Sequence, residues 1–300
     1  MLRLGVVDFD SSHSVEFTKR LNHRLCPEDQ WVEGARVVVG CVLPSAITPQ
    51  ETIDRYVATF TQELGLPLVD HPEQMIGKVD GVLIESVDGS VHLERARPFL
   101  RARVPLFVDK PFTTTVADAR EFAARAREQG VPVFSSSSLR YAPDVVALAG
   151  DPALGGVVGA DTFSPASLHP RNPGMTYYGI HGIETLYTLM GAGCETVVCI
   201  ETAGATVITG RWRDGRIGTF RGIRQGSGGY GATVIGERGR RHAAIDTRYI
   251  YRELLKQIVA FFRTGQPPVP IEETVEIIAF MEAALESARG GGRPVALATQ

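Results

Sequence analysis

Five short apolar runs in the first half of the chain constrain the fold more than any other feature of the sequence. They are continuous in valine, isoleucine and leucine, without regular polar alternation, which is typical of parallel strands covered by helices on both faces. Amphipathic helical patterns separate them. The runs lie at 3–9, 35–43, 80–86, 104–110 and 131–137, and the helical patterns at about 13–25, 50–64, 90–102 and 115–129. These elements predict an α/β doubly wound parallel sheet.

The pattern changes near residue 140. Segments such as "GATVITGRW" and "GRIGTFRGI" alternate apolar and polar residues between glycine-rich turns, which indicates antiparallel strands with one face in water. Helices are predicted at about 176–190, 248–263 and 271–289. We therefore predict a Rossmann-type domain at 1–138 and an α+β domain at 139–300. The open sheet of the second domain is expected to form a homodimer or homotetramer.

Composition excludes several classes of function. The net charge of −3 in 300 residues gives no reason to expect nucleic acid or a membrane surface as a partner. No secretory signal or long apolar segment is evident, and the four cysteines form no C-x-x-C pair, so we expect a cytoplasmic protein. The seven histidines show no H-x-x-x-H or H-E-x-x-H spacing, so no metal site is predicted.

The stretch "VDGVLIESVDGSVHLERARPFLRARVPLFVDKP" carries the clearest chemical signal. It contains two predicted strands, and Lys110 stands at the carboxyl end of the second one. Ligand sites in open parallel sheets form outside the carboxyl ends of the strands, and a lysine there can donate or accept a proton. A solvated charge at the end of a strand is the alternative interpretation of this residue.

This stretch resembles the Gfo/Idh/MocA family of NAD(P)-dependent oxidoreductases, in which an E-K-P motif occupies the position of "DKP" here. The segments "SSSLRYAPDV", "GVVGA" and "EAALESARGGGRPVAL" also follow the order of that family. The resemblance implies NAD or NADP as cofactor and transfer of a hydride to or from a carbinol carbon of a sugar, cyclitol or related polyol. It implies cofactor contacts near Ser86, His92, Asp109 and Lys110, with Lys110 as the catalytic acid or base.

A second motif, "MTYYGIHGIETLYTLMG", predicts a helix with Tyr177, His181 and Glu184 on one polar face. A core helix with an incidental histidine is the alternative. Many sugar-oxidising members of the family have Asp-x-x-x-His here, so His181 matches the histidine and Tyr177 replaces the aspartate. The resemblance therefore implies catalytic or substrate-orienting roles for Tyr177 and His181, with Arg140 as a further substrate donor.

The turn "DFDSSHS" departs from the family. Asp8, Asp10 and His13 stand where the family has three glycines, and two carboxylates would repel a pyrophosphate. Ser11 and Ser12 are expected to cap the following helix and to bond phosphate, while a protonated His13 would offset one carboxylate. We expect cofactor binding at these five residues to be weak.

Two alternatives to a dehydrogenase remain open from the sequence. One is a non-redox ligand-binding or regulatory protein that keeps the fold, which the altered turn favours. The other is an enzyme that uses tightly bound NAD for transient oxidation during elimination or hydrolysis.

Overall fold

The structure is a computed structural model that describes residues 1–298. The chain divides into two compact units. Unit 1 consists of residues 1–113, 117–136 and 251–271, and unit 2 of residues 114–116, 137–250 and 272–300, as far as these are described. Each unit has its own sheet, as the sequence predicts.

The sheet of unit 1 has six parallel strands in the order β3-β2-β1-β4-β5-β6. This is the strand order of a dinucleotide-binding Rossmann sheet, and it confirms the predicted fold class. Its short strand β3 was not predicted, because two residues are too few to give a pattern. The strands are β1 (Leu2–Val7), β2 (Ala35–Cys41), β3 (Leu68–Val69), β4 (Gly81–Ile84), β5 (Leu106–Val108) and β6 (Val133–Ser135).

Four helices connect these strands close to the predicted positions: α1 (His13–Leu21), α2 (Gln50–Ala58), α3 (His92–Arg101) and α4 (Val116–Gln129). Buried aromatic rings link them to the sheet. Phe17 of α1 lies 6.4 Å from Phe107, and Phe107 lies 5.4 Å from Phe134, measured between ring centroids. This packing holds α1 against β5, whose Phe107 in turn contacts β6.

The sheet of unit 2 has seven strands in the order β12-β11-β7-β10-β9-β8-β13, with β7 and β10 parallel and the other pairs antiparallel. The predicted mainly antiparallel sheet is thus confirmed. The strands are β7 (Val157–Pro165), β8 (Cys194–Glu201), β9 (Ala205–Trp212), β10 (Ile217–Ile223), β11 (Gly231–Gly236), β12 (Arg240–Ala244) and β13 (Val295–Ala296).

Three helices belong mainly to unit 2: α5 (Pro143–Ala149), α6 (Ile180–Met190) and α8 (Ile271–Arg289). Helix α6 packs closely on the sheet at Gly182, where an added Cβ would lie 2.4 Å from the Phe220 ring. The glycine therefore serves the close approach of the helix to the sheet.

Helix α7 (Ile250–Thr264) differs from the predicted domain boundary. Except for its first residue it belongs to unit 1, although it lies within the predicted second domain. The reason is its apolar face: the Phe261 ring lies 5.6 Å from that of Phe134 on β6, and an added Cβ at Gly81 would meet Phe262.

Within residues 1–298, the longest and most apolar helices fall short of what is needed to span a membrane.

Candidate functional site

The turn after β1 keeps the backbone shape of a glycine turn without a glycine. Asp8 has a φ of 70°, in the left-handed region that glycine usually supplies. Its carboxylate points into the protein, where it accepts hydrogen bonds from the Ser86 hydroxyl and, at 3.1 Å, from Nε of Arg95. Burial raises the pKa of Asp8, and the Arg95 charge partly opposes that shift.

Asp10 is also held by the protein. Its carboxylate accepts hydrogen bonds from Ser45 Oγ at 2.7 Å and from the Val87 amide at 3.0 Å. Burial raises its pKa above the ordinary value, although both hydrogen bonds lower it. The expected repulsion between this turn and a pyrophosphate is therefore reduced, because both carboxylates are buried and bonded within unit 1.

The two serines of the turn behave differently. Ser11 Oγ accepts a hydrogen bond from the His13 amide at 3.2 Å, so Ser11 caps the start of α1 as predicted. Ser12 occupies the N-cap position, but its side chain makes no capping hydrogen bond, so that part of the prediction is wrong. The Ser12 backbone is helical, which directs its hydroxyl away from the amides it would have to cap.

His13 reaches from the start of α1 to the carboxyl ends of the central strands. Its Nδ1 lies 2.7 Å from Oδ2 of Asp109, which follows β5, and 3.8 Å from Oε2 of Glu85, which follows β4. Its Nε2 lies 3.2 Å from the Tyr251 hydroxyl. We call His13, Glu85 and Asp109 the strand-end cluster.

The two acids of this cluster have opposite pKa shifts. Burial, and then the Asp109 charge, raise the pKa of Glu85 well above its ordinary value. Burial also acts on Asp109, but His13 and Lys110 outweigh it and lower the pKa of Asp109 to about 2. Glu85, which has no close cationic partner, thus lies beside Asp109, which has one.

Lys110 follows Asp109 and is 8% exposed. Among the residues described, none is placed to form a hydrogen bond or an ion pair within 4 Å with its ammonium group. The strand β5 ends two residues earlier, at Val108, and the peptide bond between Lys110 and Pro111 is cis. Lys110 therefore lies at the predicted place, with its amino group available to a ligand.

His92 has a different environment from the one implied for a cofactor ligand. Its Nε2 lies 2.8 Å from the Ser86 carbonyl oxygen and its Nδ1 lies 3.1 Å from the Phe112 carbonyl oxygen. The ring is fully buried between these two loops. It joins the loop after β4 to the loop after β5, so any effect of His92 on a cofactor is exerted through Ser86 and its neighbours.

In unit 2, His181 and Tyr177 do not share a helical face as predicted. Helix α6 begins at Ile180, so Tyr177 lies in the preceding turn, with its ring 5.2 Å from that of His169. His181 Nδ1 instead lies 2.7 Å from Ser137 Oγ, and its ring packs edge-on against Tyr178. The glycine at 179 delays the start of the helix and separates the two side chains.

Arg140 is occupied by protein rather than open to substrate. Its Nε lies 2.5 Å from Oε2 of Glu184, and a terminal nitrogen lies 2.7 Å from Glu273. Burial alone would lower the pKa of Arg140, but the two glutamates raise it. We call Arg140, Glu184 and Glu273 the arginine cluster; its ion pairs direct the guanidinium of Arg140, which was predicted to donate to a substrate, toward two protein carboxylates.

Sequence reasoning missed Glu85, Arg95, Ser137 and Tyr251. Glu85 carried a usable signal, because it follows a buried apolar strand just as Asp109 does. The others had none: Arg95 reaches Asp8 over 87 positions, and Tyr251 reaches His13 over 238.

Comparison with known proteins supports this description. Residues 45–137 match the model of the Gfo/Idh/MocA family, described as an oxidoreductase family with an NAD-binding Rossmann fold. The match confirms the predicted resemblance over that segment of the Rossmann unit. None of the curated protein sequences matches the chain.

Three solved structures share the fold over almost the whole chain. A probable dehydrogenase from Thermotoga maritima has 20% identity and a TM-score of 0.81, with 99% of each chain covered. GenD2 from gentamicin A biosynthesis, in complex with NAD, has 19% identity and a TM-score of 0.79, with 98% of this chain and 96% of that one covered. Myo-inositol 2-dehydrogenase from Lactobacillus plantarum has 14% identity and a TM-score of 0.81, with 99% of each chain covered.

Proposed function

We propose that the protein is an NAD(P)-dependent dehydrogenase or reductase that acts on a secondary alcohol of a sugar, cyclitol or related polyol. The observation that carries this proposal is the buried Lys110 at the carboxyl edge of a six-stranded Rossmann sheet, with no ionic or hydrogen-bond partner for its amino group among residues 1–298. That edge is where parallel sheets bind ligands. Similarity to proteins described as inositol dehydrogenases supports the substrate class.

The residues present are compatible with a dinucleotide despite the missing glycines. The turn keeps a left-handed residue at Asp8, and the carboxylates of Asp8 and Asp10 are bonded within the protein. Asp8, Asp10, Ser11, Ser12 and His13 would hold the pyrophosphate through their backbone. Ser86, His92, Asp109 and Lys110 would shape the rest of the site, and the cofactor, when bound, accepts or returns a hydride.

Lys110 is proposed to take the hydroxyl proton of the substrate during oxidation and to return it during reduction. Asp109 is ionised through its contact with His13, so it holds negative charge next to the lysine. His181 and Tyr177 of unit 2 remain candidates for orienting the substrate. The Ser137 hydroxyl fixes the His181 ring, which is what an orienting group requires.

The first experiment measures cofactor binding, followed by turnover of myo-inositol and related polyols. We expect NAD+ or NADP+ to bind with a Kd in the micromolar range, and Lys110→Ala to lower kcat by about 10²–10⁴-fold with little change in Kd for the cofactor. Lys78→Ala, which removes an exposed lysine of the same unit, is the matched control and should leave kcat unchanged.

Unchanged turnover in Lys110→Ala would remove the lysine from this role. No cofactor binding up to millimolar concentration by a folded protein would overturn the proposal. That result would favour a ligand-binding protein without redox activity, the alternative that the three replaced glycines support.

A further inference from the structure

The strand-end cluster has the composition and position of a metal site. His13, Glu85 and Asp109 come from the start of α1 and the ends of β4 and β5, which are elements of one sheet edge. One ligand atom from each lies within 4.8 Å of the other two. Ligands that bind one divalent ion at about 2.0–2.2 Å lie about 3–4.4 Å from one another, so small side-chain movements would bring all three onto one ion.

A second observation points to a cation at this place. Glu85 is 0% exposed, and within the described part of the chain neither of its carboxylate oxygens accepts a hydrogen bond. Its nearest ion-pair contact is His13 Nδ1 at 3.8 Å, so the carboxylate is directed into the cluster. Oδ1 of Asp109 is buried and unbonded in the same way. Buried carboxylate oxygens are normally paired or bound to a metal.

We propose that His13, Glu85 and Asp109 bind one divalent transition-metal ion such as Zn²⁺ or Mn²⁺. One imidazole and two carboxylates favour these ions over Mg²⁺ or Ca²⁺, which prefer oxygen ligands alone. The Tyr251 hydroxyl lies 3.2 Å from His13 Nε2 and accepts the proton of that nitrogen, which orients Nδ1 toward the ion. The H-x-x-x-H spacing sought in the sequence could not reveal this site, because its ligands are far apart in the chain.

Metal binding requires a proton to move. In the metal-free protein the hydrogen bond between His13 Nδ1 and Oδ2 of Asp109, at 2.7 Å, holds one proton. The ion takes the lone pair of Nδ1, so this proton leaves Nδ1 as the metal–nitrogen bond forms, and it moves to Nε2 or, where Nε2 already carries a proton, to the buffer. The competing occupant of the cluster is therefore that proton alone.

The test uses full-length protein treated with EDTA and then dialysed. Zn²⁺ is titrated against a chromophoric chelator, and Mn²⁺ is followed by its paramagnetic resonance signal. We expect one ion per chain and a rise of several degrees in Tm on saturation. Mg²⁺ should bind at least about tenfold more weakly.

Two variants and one control assign the ligands. Glu85→Gln and His13→Gln should each weaken Zn²⁺ binding by at least about tenfold and abolish the rise in Tm. His242→Gln removes an exposed histidine of unit 2 and should bind Zn²⁺ as the wild type does. Glu85→Gln keeps the shape of the side chain, so its Tm in EDTA shows whether the variant folds.

The proposal is overturned if no Zn²⁺ or Mn²⁺ is retained at about 100 µM free ion, or if both variants bind as tightly as the wild type. The first result would leave the proton as the occupant of the cluster. The second would place any bound zinc elsewhere on the protein. Both readouts are independent of dehydrogenase activity, so they stand whether or not the proposed function is correct.

Discussion

The strand-end cluster and the arginine cluster both bury several ionisable groups, but only in the arginine cluster is every member in close ionic contact with a partner, because Glu85 of the strand-end cluster is not. In unit 2, Arg140 lies between Glu184 and Glu273 at 2.5 and 2.7 Å. In unit 1, Glu85 lies 3.8 Å from the nearest basic nitrogen, and its oxygens accept no hydrogen bond among the residues described. We call a cluster closed when each of its charged groups is paired with another, and open when one is not. A closed cluster stabilises one arrangement of the chain, whereas the unpaired carboxylate of an open cluster can bind a ligand or a proton.

The difference follows from where each cluster lies in its unit. The arginine cluster joins the loop before α5 to α6 and α8, so its charges hold elements of unit 2 together. The strand-end cluster lies at the carboxyl edge of a parallel sheet, where the strands end and side chains converge without helical backbone to pair with. Burying charged side chains at such an edge costs free energy that no structural benefit offsets. A functional role therefore explains the strand-end cluster better than a structural one.

The largest expected effect comes from breaking the closed cluster. Arg140→Met leaves the buried carboxylate of Glu184 and the partly buried one of Glu273 without their cation, and removal of one partner from a buried ion pair typically costs about 3–5 kcal/mol. We expect a large fall in the midpoint of urea unfolding, monitored by circular dichroism.

The double variant Arg140→Met with Glu184→Gln is the control for this prediction. It removes one of the two uncompensated charges and should recover part of the lost stability. If Arg140→Met alone unfolds at the wild-type midpoint, the arginine cluster does not stabilise unit 2, and Arg140 is again a candidate for binding substrate.

The same substitution in the two clusters should have opposite effects. Glu184→Gln removes a charge that pairs with Arg140, so stability should fall by about 1.5–3 kcal/mol. Glu85→Gln removes a buried carboxyl group that has no hydrogen-bond partner in the described part of the chain, so in EDTA the protein should be as stable as the wild type or up to about 1 kcal/mol more stable. Urea midpoints of the two variants, measured side by side, check this.

A loss of stability in both variants would contradict the comparison. It would mean that Glu85 has a strong partner in solution even without metal, as an imidazolium His13 moved closer to it would provide. In that case the two clusters would be equivalent, and only the zinc titration would separate them.

The sequence predicted the architecture better than the sites, and the reason is physical. The parallel sheet follows from apolar runs such as that ending at Ile84, because each run reports its own burial. Lys110 could be located for the same reason, since it directly follows such a run. Predictions of this kind depend on local sequence alone.

The partners of charged side chains could not be predicted in this way. Arg140 was expected to face a substrate, but Glu273, which lies 133 positions later, occupies it. Tyr177 was expected beside His181 because a continuous helix was assumed, and the helix starts three residues too late for that. A charged residue in a sequence shows that it needs a partner, but the fold decides whether that partner is protein, ligand or water.

The charge of Asp8 is compensated more fully than that of Glu85 and less fully than those of the arginine cluster. Its substitution has the smallest expected effect on stability. Asp8 is buried, but Arg95 and Ser86 supply part of the compensation that Glu85 lacks. Because burial raises its pKa in the folded protein, the folded state binds more protons than the unfolded chain above about pH 3.9. Stability should therefore fall as pH rises from about 3.9 through the pKa of folded Asp8. Asp8→Asn should show a flatter curve of urea midpoint against pH across that window.

Asparagine is suited to this test because it tolerates the left-handed backbone at position 8, so a change in the pH curve reports the charge rather than strain. Asp80→Asn is the control: Arg3 lowers the pKa of that exposed acid, so its substitution should remove stability that is present above about pH 3.9, the opposite sign. If Asp8→Asn instead loses stability as Asp80→Asn does, Arg95 fully compensates Asp8. The turn after β1 would then be a closed ionic contact like the arginine cluster, which would leave Glu85 as the buried acid that distinguishes the sheet edge.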